Sequence, residues 1–321
     1  MKDFSGKLAV ITGGGTGMGR ELAKQLVEQG CDVAICDVVE ENMAETLRLC
    51  RDLAPQGISI TAHLCDVSSE EDMNRFRAEV EKQHPRGHIN LLFNNAGIGG
   101  GGSFINDTRE HWEKTFAVCW YGVYYGSRAF VPLLIASDDG HLVNTSSVNG
   151  FWASLGPMTS HTAYSAAKFA VKGFSEALVN DFRLNAPHVK VSVVMPGHIG
   201  TDIAINSGKI LGAPDVIDMS DEELEATREN WKKMGADVDN LSKDELRSAI
   251  LQRGEDFRNN APMTAAEAVA VILNGVKEER WRILVGDDAH NLDQRVRNSP
   301  EEAYESSFFE GSLIGGGILK E

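Results

Sequence analysis

The chain has 321 residues, of which 42% are apolar, and a formal net charge of −16. A chain of this length can bury a large core, as one large α/β domain or two modest ones, and its composition is ordinary for a globular protein. The strong negative charge argues against binding to nucleic acid or to an anionic membrane surface.

The cysteines, the histidines and the apolar stretches of the chain indicate which kinds of site and which location to expect. Five cysteines show neither paired nor metal-binding spacing, and the nine histidines show no zinc spacing, so we expect no metal site. The opening run MKDFSGKLAV lacks the apolar core of a signal peptide, and no stretch is apolar over the length of a transmembrane helix. We therefore expect a cytoplasmic protein with no membrane partner.

Short apolar runs alternate with helix-length segments along the chain. Because several of these runs are almost wholly apolar, they favour parallel strands that are covered on both faces. The alternation predicts an α/β fold, a doubly wound Rossmann sheet of about seven parallel strands in a single domain. The predicted strands are KLAVIT (7–12), DVAICD (32–37), ISITAHL (58–64), HINLLFN (88–94), HLVNTSS (141–147), VKVSVVMP (189–196) and RILVG (282–286).

Helix starts are marked by Ser/Thr-x-x-Glu capping boxes and by a proline at a first helical position. These signals lie at Ser68–Glu71, Ser220–Glu223, Ser242–Glu245, Thr264–Glu267 and Ser299-Pro300.

One segment, 202–262, contains no strand pattern and is polar and acidic, with two of the capping boxes inside it. It predicts a helical insertion over the carboxyl ends of the strands, where open α/β sheets bind ligands. The alternative is a surface pair of helices without function. The predicted catalytic domain spans 4–290, including this insertion, and a C-terminal extension follows over 291–321.

The first predicted strand leads directly into the glycine-rich sequence TGGGTGMGRELAKQL. A glycine-rich turn between a strand and a helix lets backbone amides approach a pyrophosphate, whose charge the helix dipole favours. Asp37 ends the second strand 18 residues after Gly19, where an acidic side chain binds the adenosine ribose hydroxyls. The next three residues include no lysine or arginine, and a carboxylate repels the 2′-phosphate of NADP. The sequence therefore predicts NAD as the cofactor.

Six motifs occur in order along the chain, and together they resemble the short-chain dehydrogenase/reductase family. The resemblance covers the chain from Phe4 to Gly286 and implies a single Rossmann domain with NAD-dependent oxidoreductase activity on a secondary alcohol or ketone. The motifs are TGxxxGxG (12–19), Asp66-Val67, NNAG (94–97), a serine pair (146–147), Tyr164-x-x-x-Lys168 and PGHIGT (196–201).

The resemblance implies a catalytic role for three residues. Tyr164 is the implied general acid/base, although an unperturbed tyrosine has a pKa of about 10 and is a poor base at neutral pH. Lys168 lies four residues later on the same helical face, where its charge stabilises the phenolate. It is also expected to hydrogen-bond the nicotinamide ribose. Ser147, rather than its neighbour Ser146, is expected to bind the reacting oxygen.

The resemblance also implies the cofactor contacts. The glycine turn holds the pyrophosphate, Asp66 and Val67 contact the adenine, and Asn95 lies near the adenosine ribose. Thr201 holds the nicotinamide carboxamide or its phosphate. The full predicted cofactor set is Gly13, Thr16, Gly17, Met18, Gly19, Asp37, Asp66, Val67, Asn95, Tyr164, Lys168, Ile199 and Thr201.

The interval of 17 residues between Ser147 and Tyr164 is a few longer than the family commonly shows. The additional residues fall in the loop 151–163, whose apolar residues indicate a bulky apolar substrate or, alternatively, core packing beneath the loop. Trp152, Met158 and His198 are the candidate substrate contacts. His198 is either a group that tunes proton transfer or a polar wall residue.

The chain departs from the family pattern in one helix. Cys119 stands three residues before Gly122, where the family usually has an asparagine that helps hold a water for proton relay. A thiol is a weak hydrogen-bond partner. The relay therefore uses another route or is impaired.

Two other functions remain open: a sugar-nucleotide epimerase or dehydratase with the same Tyr–Lys pair, and a non-catalytic NAD-binding regulator. The expected partner is a small-molecule substrate. By the resemblance, the helices around 109–136 and 162–186 pair across a two-fold axis into a homodimer or homotetramer. The tail 308–321 either docks on a neighbouring subunit or is disordered.

Overall fold

The structure is a computed structural model that describes residues 1–156 and 159–309. Seven strands form one parallel sheet in the order β3-β2-β1-β4-β5-β6-β9, and β7 pairs with β8 separately. The predicted doubly wound sheet is confirmed. The strands are β1 (Leu8–Thr12), β2 (Asp32–Asp37), β3 (Ile60–Leu64), β4 (Leu91–Asn94), β5 (Gly140–Thr145), β6 (Val189–Pro196), β7 (Ile199–Gly200), β8 (Met263–Thr264) and β9 (Arg282–Val285).

Helices cover both faces of the sheet. Within the described residues no helix is both long and apolar enough to cross a membrane. The helices are α1 (Gly17–Glu28), α2 (Glu40–Leu53), α3 (Glu70–Gln83), α4 (Arg109–Phe116), α5 (Gly122–Ile135), α6 (Thr162–Asn185), α7 (Ile203–Ile210), α8 (Asp221–Lys233), α9 (Lys243–Asn259), α10 (Ala265–Lys277), α11 (Asp287–Asn298) and α12 (Ser306–Phe309).

Two large apolar clusters lie on opposite faces of the sheet, because alternate residues of each strand point to opposite sides. Ile11 of β1 packs in the cluster beneath α1 and α10, whereas Val10 packs in the cluster beneath α3, α5 and α6. The strand order reverses between β1 and β4, which are neighbours in the sheet. Their carboxyl ends therefore form the crevice where a doubly wound sheet binds its ligand.

The capping signals identify three helix starts correctly and two incorrectly. Capping boxes are present at Ser220, Ser242 and Thr264. At α3 the cap is Ser69, whose hydroxyl accepts from the Asp72 amide, so the predicted box at Ser68 is wrong. No helix starts at Pro300; the chain makes turns up to α12.

The segment 202–262 contains three helices, α7, α8 and α9, rather than the two that its capping boxes predict. The additional helix, α7, has no side-chain hydrogen bond at its N-cap, Asp202, so no capping motif announces it in the sequence. Arg228 of α8 closes the insertion by donating to the carbonyl oxygens of Val238 and Leu241.

A histidine of the central sheet is buried without a charged partner in the described part of the chain. His141 of β5 is fully buried, with its Nε2 2.7 Å from the Ser192 Oγ. Because the Ser192 hydroxyl donates to the Arg280 carbonyl at 2.6 Å, we infer that Nε2 carries the imidazole proton and that Ser192 accepts it. The Nδ1 atom has no partner in the described part of the chain. Burial lowers the pKa of His141 to about 3.

We predict that His141→Gln flattens the acid side of the stability curve. The folded-state pKa of about 3 is below the unfolded value of about 6.5, so the contribution of neutral His141 is present above pH 6.5 and is lost as the pH falls. For one such histidine, the free energy of unfolding falls by about 1.4 kcal/mol for each pH unit between about pH 6 and pH 4. Urea unfolding at several pH values measures this slope. The exposed His290 provides the control, His290→Gln; equal slopes in both variants would contradict the assignment.

Candidate active site

The three predicted catalytic residues meet at the carboxyl end of β5. Tyr164 and Lys168 lie one turn apart on α6, and the Lys168 Nζ is 5.3 Å from the centre of the Tyr164 ring. Lys168 is only 2% exposed and donates to the Thr145 carbonyl oxygen at 2.9 Å. The Ser147 side chain lies close enough to Tyr164 to lower the pKa of its phenol. A hydroxyl, a phenol and an ammonium group therefore share one site.

Burial controls the ionisation of this group. It raises the pKa of Tyr164, Cys119 raises it further, and the nearby Ser147 side chain opposes both effects. Burial lowers the pKa of Lys168, and the nearby Cys119 opposes that change. These effects together favour a protonated phenol. A further positive charge close to Tyr164 would be required to make it a useful base at neutral pH.

The two serines of the pair make different hydrogen bonds. The Ser146 hydroxyl is buried and donates to the Lys168 carbonyl oxygen at 2.8 Å, which fixes the end of β5 against α6. Ser147 begins a 3-10 turn, Val148–Gly150, and accepts from the Asn149 amide at 3.1 Å. This bond fixes the Ser147 side chain at the start of the turn.

The glycine turn is built for close backbone approach. Gly13 and Gly17 have positive φ angles of 67° and 53°, which disfavour any side chain. A Cβ on Gly13 would lie 2.8 Å from the Ala96 Cα, and one on Gly19 would collide with the Gly13 carbonyl oxygen. The turn therefore requires glycine at three of the predicted positions, and its geometry suits a pyrophosphate at the start of α1.

Asp37 lies beside this turn at the end of β2. Its Oδ2 accepts from the Gly15 amide at 2.9 Å and its Oδ1 from the Val38 amide at 2.8 Å. Arg20 lies behind the turn, where its guanidinium donates to the Gly15 carbonyl oxygen at 2.5 Å and to the Thr46 Oγ1 at 3.0 Å. The carboxylate is therefore held next to the predicted pyrophosphate site, as an adenosine-ribose contact requires.

Thr12, the first residue of the glycine motif, joins the ends of β1 and β4. Its Oγ1 accepts from the amides of Asn95 and Ala96 at 3.0 and 3.1 Å. The Asn95 Nδ2 donates back to the Thr12 carbonyl oxygen at 3.1 Å. Asn95 thus holds the first residue of the glycine motif, in addition to the ribose contact predicted for it.

The predicted adenine contacts, Asp66 and Val67, follow β3. Asp66 accepts from Lys114 at 2.6 Å and from the Ser68 hydroxyl at 2.6 Å. Burial raises the pKa of Asp66, but these bonds outweigh it and the net pKa is lowered. Val67 is buried against Gly122, where a Cβ would lie 2.8 Å from it. Lys114 comes from a distant helix, and no signal in the sequence pairs it with Asp66.

Two of the three candidate substrate residues make hydrogen bonds to other segments of the protein. Trp152 is 1% exposed and donates from its indole to the Ala303 carbonyl oxygen at 2.7 Å, so it lies in the core beneath the C-terminal segment. The His198 Nε2 lies 2.7 Å from the Phe257 carbonyl oxygen and its ring packs on Phe257, so it faces α9. Trp152 and His198 thus have structural partners, and their assignment as substrate contacts stays a prediction; Met158 lies outside the described residues.

His161 packs directly on Tyr164, with the two ring centres 4.6 Å apart. Burial lowers the pKa of His161 to about 4, so its imidazole is neutral at physiological pH. It lines a cleft of about 510 Å³ together with Ala153, Thr159, Ser160, Thr162, Ser165, Ala166 and Phe169.

The nicotinamide turn, which we define as residues 196–201, and the helix α7 that follows it cover the other side of the site. Ile199 is buried in β7 with Met18 packed on the same apolar cluster, and the Thr201 side chain lies next to Gly17. In α7, the Asn206 amide donates to the Thr16 Oγ1 at 3.3 Å, and Ser207 accepts from the Gly99 amide at 2.8 Å. Helix α7 therefore bridges the glycine turn and the loop after β4.

Cys119 lies in a π-helical turn, Ala117–Tyr121, between α4 and α5. It is fully buried, and its Sγ donates to the Ile98 carbonyl oxygen at 3.3 Å. The Cys119 thiol thus donates one hydrogen bond that the side-chain amide of an asparagine could also donate.

We predict that Cys119→Asn folds and retains turnover within a few-fold of the parent, because the carboxamide can donate to the same carbonyl. Steady-state turnover and thermal unfolding of this variant, with Cys119→Ala as the comparison that lacks a donor, provide the measurement. A large loss of turnover in the asparagine variant would give the thiol a specific role of its own.

Comparisons with known proteins agree with this geometry. The family model for short chain dehydrogenase matches residues 7–210. The chain therefore belongs to the short-chain dehydrogenase/reductase family. Among its relatives, the putative oxidoreductase SadH of Mycobacterium tuberculosis is 33% identical over 298 residues, which cover 92% of each chain. Human epidermal retinol dehydrogenase 2 is 33% identical over 217 residues, which cover 67% of each chain.

Two solved structures show the same architecture with different cofactors. A short-chain dehydrogenase/reductase from Burkholderia phymatum in complex with NAD has a TM-score of 0.73 and 26% identity, and the match covers 100% of both chains. A metagenomic short-chain oxidoreductase in complex with NADP has a TM-score of 0.53 and 31% identity over 60% of this chain and 83% of the other. The family thus supports a nicotinamide cofactor and leaves the choice to local residues.

Proposed function

We propose that this protein is an NAD-dependent dehydrogenase that interconverts a secondary alcohol and a ketone, with Tyr164 as the general acid/base. The observation that carries the proposal is the buried Lys168 ammonium, 5.3 Å from the Tyr164 ring, with Ser147 close enough to the same phenol to lower its pKa. When bound, the cofactor supplies hydride transfer. Ser147 orients the substrate oxygen, Tyr164 takes or returns its proton, and the charge of Lys168 stabilises the phenolate.

The preference for NAD rests on Asp37. Its carboxylate is held beside the glycine turn by backbone amides, and a 2′-phosphate at the adjacent ribose would meet its negative charge. The nearest guanidinium, that of Arg20, donates to the Gly15 carbonyl and to Thr46. It is therefore engaged in holding the turn.

A bulky apolar substrate is the class we propose. Leu211 at the end of α7 and Tyr164 both pack against the same apolar cluster, so an apolar side chain of the insertion lies near the proposed site. The name of the retinol dehydrogenase relative supports a long apolar alcohol. In this proposal the insertion 202–262 is the lid of the substrate site.

The test measures the formation of reduced cofactor with a panel of steroid, aryl and terpenoid secondary alcohols. NAD and NADP are supplied in parallel reactions. We expect turnover with NAD, and a loss of about 10²–10⁴-fold in Tyr164→Phe, because the phenol proton is required. Tyr125→Phe, a tyrosine that packs on Tyr121 and Tyr124, is the matched control.

Equal activity in Tyr164→Phe and the parent would exclude the proposed mechanism. Binding of NAD without turnover of any alcohol would favour the other two functions. Tightly retained NAD, released only on denaturation, would then indicate an epimerase or dehydratase, and freely exchanging NAD a regulator.

We also propose a homodimer or homotetramer assembled through α5 and α6, in a reducing cytoplasm. All five cysteines are free and buried, which suits that compartment. Three aromatic side chains of these helices and the turn before α5 are exposed: Tyr121 by 41%, Tyr124 by 37% and Phe169 by 42%. Tyr124 also stacks on Trp120, with ring centres 6.2 Å apart. Such exposed aromatic surface is typical of interfaces.

Sedimentation velocity tests this assembly. We expect Tyr124→Arg to shift the protein to smaller species, because a buried unpaired charge destabilises an apolar interface. Ile105→Arg, at a loop position that is 89% exposed, should leave the assembly unchanged. A monomeric parent protein would contradict the proposal. The proposed docking role of the tail concerns residues that lie mostly outside the described ranges.

A further inference from the structure

We propose that Asp288 is a positioning residue for the nicotinamide turn, and that the C-terminal segment 287–308 holds the two sides of the reaction site at a fixed separation. This inference rests on the proposed binding of NAD and adds a residue that the sequence motifs do not include.

The carboxylate of Asp288 reaches out of its own helix. Asp288 is the second residue of α11, where an acidic side chain ordinarily interacts with the amides of its own first turn. Here its Oδ2 accepts instead from the His198 backbone amide at 2.7 Å, across 90 residues of sequence. No salt bridge to Asp288 forms within 1–156 and 159–309, so the contact that it makes is a charge-assisted hydrogen bond to the backbone of the nicotinamide turn.

The approach of this carboxylate is possible only because Gly197 has no side chain. A Cβ at Gly197 would overlap both carboxylate oxygens of Asp288. The Gly197 amide donates to the Val285 carbonyl oxygen at 2.9 Å, so β9 and Asp288 bind two successive amides of the turn. These two bonds fix the entry to the turn just before Ile199 and Thr201.

The same segment also supports the serine side of the site. Ala289 and Leu292 of α11 pack with Val148, the residue after Ser147, in a third apolar cluster. Further along, the Ala303 carbonyl oxygen accepts from the Trp152 indole at 2.7 Å, and the Tyr304 hydroxyl accepts from the Ala153 amide at 3.0 Å. One segment therefore contacts both the turn that follows Ser147 and the turn that leads to Thr201.

The second carboxylate oxygen of Asp288, Oδ1, is buried and accepts no hydrogen bond in the described part of the chain. A buried carboxylate oxygen without a partner is costly. The carboxylate in this place is explained by what Oδ2 does for the turn.

The experiment compares Asp288→Ala, Asp288→Asn and the control Asp287→Ala, which changes the exposed neighbour on the same helical turn. Two ligands are titrated by calorimetry: NAD, and ADP-ribose, which lacks the nicotinamide. Hydrogen exchange of the amides in 196–201 is measured on each cofactor-free protein.

We expect Asp288→Ala to weaken NAD binding about tenfold, as the loss of one charge-assisted hydrogen bond would do, while ADP-ribose binding changes less than about twofold. Exchange of the His198 amide should be at least about tenfold faster. Asp288→Asn should fall between parent and alanine, because a carboxamide oxygen can still accept. Asp287→Ala should match the parent throughout.

Equal weakening of both ligands would overturn the positioning role and make Asp288 a general support of the fold. Unchanged exchange at His198 in Asp288→Ala would overturn it as well. If the parent protein fails to bind NAD, the proposed function falls, and the exchange measurement still decides whether Asp288 orders the turn.

Discussion

The site depends on a buried positive charge that no carboxylate neutralises. Lys168 is 2% exposed, and the hydrogen bond of its ammonium goes to the neutral carbonyl oxygen of Thr145. Within the described residues it forms no salt bridge, and its Nζ is 5.3 Å from the centre of the Tyr164 ring, where the proposed mechanism requires a positive charge. Burying a charge in this way is costly, and it requires a rigid surround. The bond from Ser146 to the Lys168 carbonyl provides part of that rigidity.

The fold delivers this arrangement because parallel strands end at one edge of the sheet. Thr12 and Asn95 join the ends of β1 and β4, while Asp37 at the end of β2 contacts the glycine turn. On the other side, α7 and Thr201 lie against that turn, and α6 supplies Tyr164 and Lys168. A dinucleotide that crosses the reversal of strand order would reach from Asp37 to Tyr164.

Local sequence predicted most of the fold and the chemical centre of the site. Strands β2 and β6 match their predicted bounds, because each is an apolar run closed by a polar or proline residue. Consecutive serines misplaced the cap of α3, since either hydroxyl fits the pattern and only Ser69 receives the amide. The turn after Pro300 has its own cause, since Ala303 is buried and its carbonyl oxygen accepts from Trp152. Lys114 and Asp288 were not predicted, because their partners are 48 and 90 residues away.

The most direct measurement is the ionisation of Tyr164, followed as the ultraviolet absorbance of its phenolate and isolated by subtracting the titration of Tyr164→Phe. The parent and Lys168→Met are titrated with and without NAD. We predict that NAD lowers the pKa of Tyr164 in the parent, and that Lys168→Met raises it in both states, because the buried ammonium stabilises the phenolate. Superimposable titrations of Tyr164 in the parent and in Lys168→Met would contradict the central claim.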